Sequence, residues 1–343
     1  MTNRKLSRQD KASPGDDALG LFLPWVADWF REEVGEPTPP QTQAWPSIAS
    51  GAHTLIHSPT GSGKTFAAFM WALNSLFSNS GEDASSTDKR RPGIRTLYVS
   101  PLKALNNDIE RNLRAPLRGI QEYALDHAVE VPEVRSAVRT GDTSQSERRA
   151  MVRKPPDILI TTPESLYLIL TSPVARDILR TVETVILDEI HTVSGSKRGA
   201  HLSLSLERLE QLSPGFQRIG LSATQRPLDE VARFLGGQSM AKDGSFSPRP
   251  VTVIDAEYPK KLSLQVIGMP AKTGGGHDRS VWPGVIPQIL EDVQRHDTTL
   301  IFTNSRRQIR PTHNSMLALL GGSTSAFTKL FGCKFFTLSL AIR

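Results

Sequence analysis

The sequence predicts an α/β fold in which helices cover both faces of a parallel sheet. Short β-rich runs alternate with helical patterns between residues 54 and 223, the order that parallel sheets require. Several of these runs are apolar throughout, as strands covered on both faces are. A glycine-rich phosphate-loop pattern follows the first run directly. These observations together predict a P-loop NTPase sheet.

Before the first strand, residue spacing and helix start and stop signals predict two helices. Leu23, Val26, Trp29 and Phe30 lie at helical spacing, which predicts one short amphipathic helix. Two prolines then open a second helix that ends at Gly51. Six runs are predicted as strands: 54–57, 95–100, 135–139, 157–161, 182–188 and 218–223.

Composition divides the 343 residues into domains of ordinary size. We expect a flexible basic arm (1–20), a first domain (21–245), the start of a second domain (246–308) and an atypical tail (309–343). Runs 263–268 and 298–303 fit strands of the second domain. The tail contains no Asp or Glu, and its basic residues are Arg310, Lys329, Lys334 and Arg343.

The charge and cysteine content narrow the class of protein. A net charge of +6 fits a phosphate-rich partner, although a solvated basic face has the same charge. The single cysteine, Cys333, excludes an internal disulfide and a cysteine-rich metal site. No apolar run approaches the roughly 18 residues of a membrane span. We therefore expect a cytoplasmic protein with no membrane partner.

A phosphate loop is predicted between the first strand and the helix that follows. It consists of Ser58, Pro59, Thr60, Gly61, Ser62, Gly63, Lys64 and Thr65. Its glycines let the backbone approach phosphates, and the helix N-terminus favours negative charge. Lys64 is placed to reach the terminal phosphates and Thr65 to ligate Mg²⁺. Ser58 replaces the glycine that usually opens this pattern.

Hydrolysis also needs carboxylates at the end of a neighbouring strand. Asp188 and Glu189 follow the apolar run 185–187. Asp188 fits a metal ligand and Glu189 a group that orients the attacking water, with His191 just beyond them. An isolated Asp-Glu pair is often a solvated strand end, but its combination with a phosphate loop favours the catalytic interpretation.

Six motifs in order resemble the superfamily 2 DEAD/DEAH-box helicases, and within them the large helicase-related (Lhr) family. They are Gln41, SPLKAL (100–105), RTGDT (139–143), TTPESL (161–166), DEIH (188–191) and SATQ (222–225). The resemblance covers about residues 21 to 308 and implies two RecA-like domains. It also implies ATP and Mg²⁺ as cofactors, with Gln41 recognising adenine.

This resemblance implies that the chain binds single-stranded or partly duplex nucleic acid, with DNA favoured over RNA. It also implies movement along the strand in the 3′-to-5′ direction. The implied strand contacts are Pro101, Lys103, Arg139, Thr162 and Pro163, and the implied coupling residues are Ser222 and Thr224. Such backbone contacts position a strand without reading its bases. Lys103 and Arg139 are equally compatible with ordinary surface charges.

The resemblance ends after Gln308, before the late motifs that carry arginine fingers in this family. We hypothesise a frameshift or premature end within the second motor domain, which would impair hydrolysis and unwinding. Alternatively, the tail's phenylalanines dock on the first domain. A competing hypothesis is a non-enzymatic nucleotide-binding remnant that needs a partner to supply the missing motor half. A small-molecule phosphoryl transferase lacks support outside the phosphate loop.

Overall fold

The computed structural model describes residues 18–78, 92–101, 103–223, 227–241 and 243–256, and five residues between 287 and 295. Residues 103–112 are described only as part of a helix. The chain forms two compact units, 1–260 and 261–343, and the first of them contains the phosphate loop. No helix in the described part of the chain is long and apolar enough to cross a membrane.

Among the described residues, seven parallel strands form the main sheet. They are β1 (Thr54–His57), β2 (Thr96–Val99), β3 (Ser136–Arg139), β4 (Ile158–Thr161), β5 (Thr184–Leu187), β6 (Gln217–Ser222) and β9 (Thr252–Asp255). Their order is β3-β4-β2-β5-β6-β1-β9. A separate antiparallel pair joins β7 (Gln238–Met240) to β8 (Phe246–Pro248). All six strands predicted from the sequence are present, with ends shifted by one or two residues.

Helices cover both faces of the main sheet, as predicted. They are α1 (Pro24–Glu33), α2 (Pro39–Ala49), α3 (Lys64–Ser78), α4 (Lys103–Asp126), α5 (Gln145–Arg153), α6 (Pro163–Thr171), α7 (Lys197–Leu212) and α8 (Leu228–Gly236). One apolar core lies between the sheet and α1 to α4, and a second lies against α6, α7 and α8. Neighbouring strand residues alternate between these cores, since successive side chains point to opposite faces. Ile56 packs in the first core and Leu55 in the second.

The first unit extends beyond both of its predicted limits. Ala18 and Leu19, which fall within the expected flexible arm, are buried in the first core. At the other end, β9 pairs in parallel with β1, so the sheet continues past the expected boundary at residue 245. The sequence predicts this segment as the start of the second domain and does not assign it to the first sheet. The second-domain runs and the tail 309–343 lie outside the described residues.

Candidate nucleotide-binding site

The phosphate loop occupies the turn between β1 and α3, as predicted. Gly61 and Gly63 adopt φ angles of +82° and +88°, a region that side chains with a Cβ rarely enter. The Ser58 N–H donates to the Ser222 carbonyl at 3.1 Å, which fixes the start of the loop to the end of β6. The carboxyl ends of parallel strands are where such sheets bind ligands.

Several polar groups of the loop are buried without a partner in the described structure. The hydroxyls of Ser58, Ser62 and Ser222 are enclosed and form no hydrogen bond, and Lys64 is 4% exposed. Buried polar groups normally find partners, and phosphate oxygens are acceptors that hydroxyls and an ammonium group can satisfy. The loop therefore fits a nucleotide's phosphates.

Thr38 and Gln41 brace the loop from the side of α2. The Gln41 side chain accepts from the Thr38 N–H at 2.8 Å and donates to the Gly63 carbonyl at 3.4 Å. The Thr38 hydroxyl donates to the Ser62 carbonyl at 2.9 Å. Gln41 is 3% exposed, so its amide holds the loop in place. The adenine contact expected of Gln41 stays a prediction.

The Asp188 carboxylate follows β5 and lies beside Lys64. Its Oδ1 accepts from the Glu189 N–H at 2.8 Å, and its Oδ2 accepts from the Tyr98 hydroxyl. Burial raises the pKa of Asp188, although the Tyr98 hydroxyl, the Glu189 N–H and the Lys64 charge act in the opposite direction. Burial and the nearby Asp188 charge also raise the pKa of Tyr98 well above its usual range, so its hydroxyl stays a donor.

Glu189 and His191 connect this carboxylate to the end of β6. Glu189 adopts φ +46°, a left-handed conformation that is strained for a residue with a side chain. Its Oε2 lies 3.3 Å from Nε2 of His191, and Nδ1 of His191 accepts from the Ala223 N–H at 3.4 Å. His191 thus bridges the predicted hydrolysis motif and the predicted coupling motif.

The residues at this site fit Mg²⁺ bound together with phosphates. In the described part of the chain, no group of three His, Cys, Asp or Glu side chains could hold a metal ion. Mg²⁺ usually takes one or two carboxylates plus substrate phosphates and keeps several waters. Asp188 and the half-buried Thr65 suit that arrangement, and their role as ligands stays a prediction.

Arg139, a predicted strand contact, is the last residue of β3, and Arg148 lies near it. Arg139 is 8% exposed, and its Nη1 is buried without a partner in the described structure. Burial and the charge of Arg148 lower the pKa of Arg139. Arg148 donates to the carbonyls of Thr140 and Gly141 at 3.3 and 3.0 Å. An anion would relieve the cost of burying Arg139 beside a like charge.

The other predicted strand contacts have different surroundings. The Thr162 hydroxyl accepts from the Ser165 N–H at 3.3 Å and caps α6, whose first residue is Pro163. Thr162 and Pro163 are both buried, so a strand would reach their backbone and not their side chains. Pro101 is buried at the end of β2. The Lys103 side chain and the predicted coupling residue Thr224 lie outside the described residues.

Sequence reasoning missed Tyr98, Thr38 and Arg148. Tyr98 carried a usable signal, because a tyrosine in a strand buried on both faces needs a partner for its hydroxyl. Thr38 precedes a proline-initiated helix and has Gln three positions later, which is a capping-box pattern. For Arg148 the sequence offered no signal, since one arginine in a charged helix resembles any surface residue.

Comparison with known proteins identifies similar sequences. A family profile described as DEAD/DEAH box helicase matches residues 38–231. A Lhr helicase and probable uracil glycosylase of Mycolicibacterium smegmatis is 47% identical over 295 residues, which are 85% of this chain and 18% of that protein. ATP-dependent helicase Lhr-Core protein 2 of Thermococcus barophilus is 47% identical over 281 residues, covering 82% of this chain and 32% of the relative.

A solved structure is similar as well. It is Mycobacterium smegmatis helicase Lhr bound to ssDNA and AMP-PNP, which matches with a TM-score of 0.69 and 42% identity over 94% of this chain and 38% of that one. The matched part of this chain corresponds to only 18% and 32% of the length of the two relatives named above.

Proposed function

Because this chain belongs to the DEAD/DEAH-box helicase family, we propose that its first unit binds ATP with Mg²⁺ and grips single-stranded DNA as one half of a helicase motor. The observation that carries the proposal is the meeting of Lys64 with Asp188 and Glu189 at the carboxyl ends of β5 and β1. The charge of Lys64 acts on the Asp188 carboxyl group, and Glu189 follows Asp188 directly in the chain, so the three groups lie near one another.

In the proposed reaction, each group acts on one part of the nucleotide. Mg²⁺ bound to the phosphates would neutralise the charge that develops during phosphoryl transfer. Lys64 would bind terminal phosphate oxygens, and Asp188 would hold the ion. Glu189 would accept a hydrogen bond from the attacking water, and His191 links Glu189 to the carboxyl end of β6.

A DNA strand fits the exposed side of the same carboxyl edge. The buried Arg139 and the partly exposed Arg148 supply positive charge near the path proposed for the phosphate backbone. The similar Lhr structure holds ssDNA and AMP-PNP, which favours DNA for this chain too. Action on DNA fits a cytoplasmic location.

Efficient ATP hydrolysis by these motors depends on arginine fingers, which raise kcat by about 10³- to 10⁵-fold. Such fingers come from the second motor half in this family. We accordingly propose that the first unit by itself (1–260) binds ATP more readily than it hydrolyses it, and that a second motor half would raise turnover. A nucleotide-binding module without catalysis is the second candidate.

A titration with a fluorescent ATP analogue tests the proposal, with turnover measured with and without single-stranded DNA. Lys64→Ala should weaken nucleotide binding by about 10- to 100-fold, because a hydrogen bond to a charged group is worth about 1.5–3 kcal/mol. Lys154→Ala, at an exposed lysine before β4, is the matched control and should bind as the wild type does.

The outcomes separate the two candidates. Binding that depends on Lys64, together with DNA-stimulated turnover, supports a motor, whereas binding without turnover supports the nucleotide-binding module. Equal nucleotide binding by the two lysine variants would contradict both. Competition between DNA and RNA strands of the same sequence, at one fixed salt concentration, tests the preference for DNA.

A further inference from the structure

We propose that Tyr98 is a positioning residue for the metal-binding carboxylate, and that its hydroxyl keeps Asp188 oriented for the nucleotide-bound Mg²⁺. This inference rests on the proposed function, since it concerns the same site. Tyr98 lies outside the motifs that identified the site in the sequence, and it stands two residues before the SPLKAL segment.

The Tyr98 side chain is held in one position. It is fully buried, and its ring stacks on Phe69 with ring centroids 4.9 Å apart and planes at 20°. Phe69 belongs to α3, the helix that begins at Lys64. A phenol fixed by this helix and by β2 presents its hydroxyl in a constant direction, toward Oδ2 of Asp188.

Both oxygens of the Asp188 carboxylate receive one donor from the protein. Oδ1 accepts from the Glu189 N–H at 2.8 Å, and Oδ2 accepts from Tyr98. Each carboxylate oxygen has a second lone pair, which remains for an ion or for water bound to an ion. Groups that orient a metal ligand in this way commonly contribute 10- to 100-fold to metal affinity.

The backbone of Asp188 is held independently of Tyr98. The Asp188 N–H donates to the Val99 carbonyl at 3.0 Å, and β5 pairs with β2 along its length. Removal of the Tyr98 hydroxyl therefore leaves the strand in place and frees only the carboxylate to rotate. This difference separates a positioning role from a purely structural one.

Tyr98→Phe tests the proposal, because it keeps the ring and its stacking and removes one oxygen. Binding of a fluorescent ATP analogue to the full chain is followed as Mg²⁺ rises, and again in EDTA. The Mg²⁺ concentration at half-maximal binding should rise about tenfold, while affinity in EDTA should equal that of the wild type.

Tyr123→Phe is the matched control. Tyr123 lies near the end of α4, away from the carboxyl ends of the strands. Its hydroxyl donates to Glu32 of α1 at 3.3 Å. This variant should keep the wild-type Mg²⁺ dependence. Thermal unfolding without nucleotide is measured for both variants to separate stability from metal response.

Three results would overturn the role of Tyr98. The first is a Mg²⁺ concentration at half-maximal binding that is the same in Tyr98→Phe as in the wild type, whether or not the melting temperature falls. The second is an equal loss of affinity in Mg²⁺ and in EDTA. The third, wild-type protein that binds no nucleotide in Mg²⁺, would overturn the proposed function as well, whereas the first two leave that function standing.

Discussion

Buried charged residues lie at both ends of the central strands, but the two ends differ in whether the polar groups there have partners. Near the start of β6, Arg218 is 1% exposed; both of its Nη atoms pair with glutamates, and only its Nε lacks a partner in the described structure. At the carboxyl ends, Asp188 and Lys64 are also buried, but nearby hydroxyls lack partners in the described structure. The charges around Arg218 neutralise one another, so we infer that this cluster stabilises the fold. Several polar groups around Lys64 and Asp188 lack partners among the described residues, so we infer that this second cluster is arranged to bind a ligand.

The Arg218 cluster consists of two arginines and two glutamates. Arg218 contacts Glu207 and Glu210 at 3.1 Å each, and Arg249 contacts Glu207 at 2.8 Å. Arg218 also donates to the carbonyls of Leu235 and Gly236 at the end of α8. The cluster thereby ties α7 and α8 to β6 and to the segment before β9.

Arg218→Met should have the largest effect on stability. It removes the buried partner of both glutamates and the Arg218 donor to the Leu235 carbonyl, so the free energy of unfolding should fall by about 3 kcal/mol. Urea unfolding measures the loss. Arg233→Met, which breaks an exposed pair with Glu230, should cost about 0.5 kcal/mol or less. Equal losses in the two variants would mean that the cluster has no special structural role.

Gly63→Ala should have an intermediate effect. A Cβ at Gly63 would lie 2.6 Å from Nε2 of Gln41 and 3.2 Å from the Thr38 hydroxyl, which would displace the brace on the loop. The expected loss is about 2 kcal/mol, combining a left-handed alanine with broken hydrogen bonds.

Gly61→Ala is the matched control for that substitution. Gly61 has a similar φ, but nothing lies within 4 Å of the Cβ it would gain. Only the backbone cost of about 1 kcal/mol should remain. If urea unfolding without nucleotide finds the two variants equal, the contacts of Gln41 do not stabilise the loop.

Asp188→Asn should have the smallest effect, and in the opposite direction. Burial raises the pKa of Asp188 in the folded protein, so ionisation destabilises the fold increasingly as pH rises from the unfolded pKa through the folded one. Asparagine removes this penalty, and the variant without nucleotide should be more stable than the wild type at neutral pH. Urea unfolding between about pH 4 and pH 8 measures the difference, in a range that spans ordinary carboxyl titration.

Glu207→Gln provides the contrasting pH dependence. Burial opposes ionisation of Glu207, but the Arg249 hydrogen bond and the Arg218 charge lower its pKa overall. Its ionised form therefore stabilises the fold above the unfolded pKa, and that stability is lost as pH falls through the folded pKa. Glu207→Gln should be less stable than the wild type at neutral pH. A stability change of the same sign in Asp188→Asn would break the comparison between the clusters.

Local sequence was sufficient to predict much of the fold. The six predicted strands are short β-rich runs, several of them apolar throughout, and the phosphate loop is a continuous segment. Lys64 and Asp188 could be assigned to one site because the carboxyl ends of parallel strands meet at the same edge. These features depend on residue patterns a few positions long.

The sequence by itself determined six of the strands, the phosphate loop and the pair of carboxylates, because periodicity and short motifs encode them. Tertiary structure alone decided that β9 joins β1, that Tyr98 bonds to Asp188 across 90 positions, and that Arg218 meets Glu207 and Arg249. The physical reason is that a hydrogen bond or ion pair depends on distance in space. Only the packed order of strands brings such distant residues within reach.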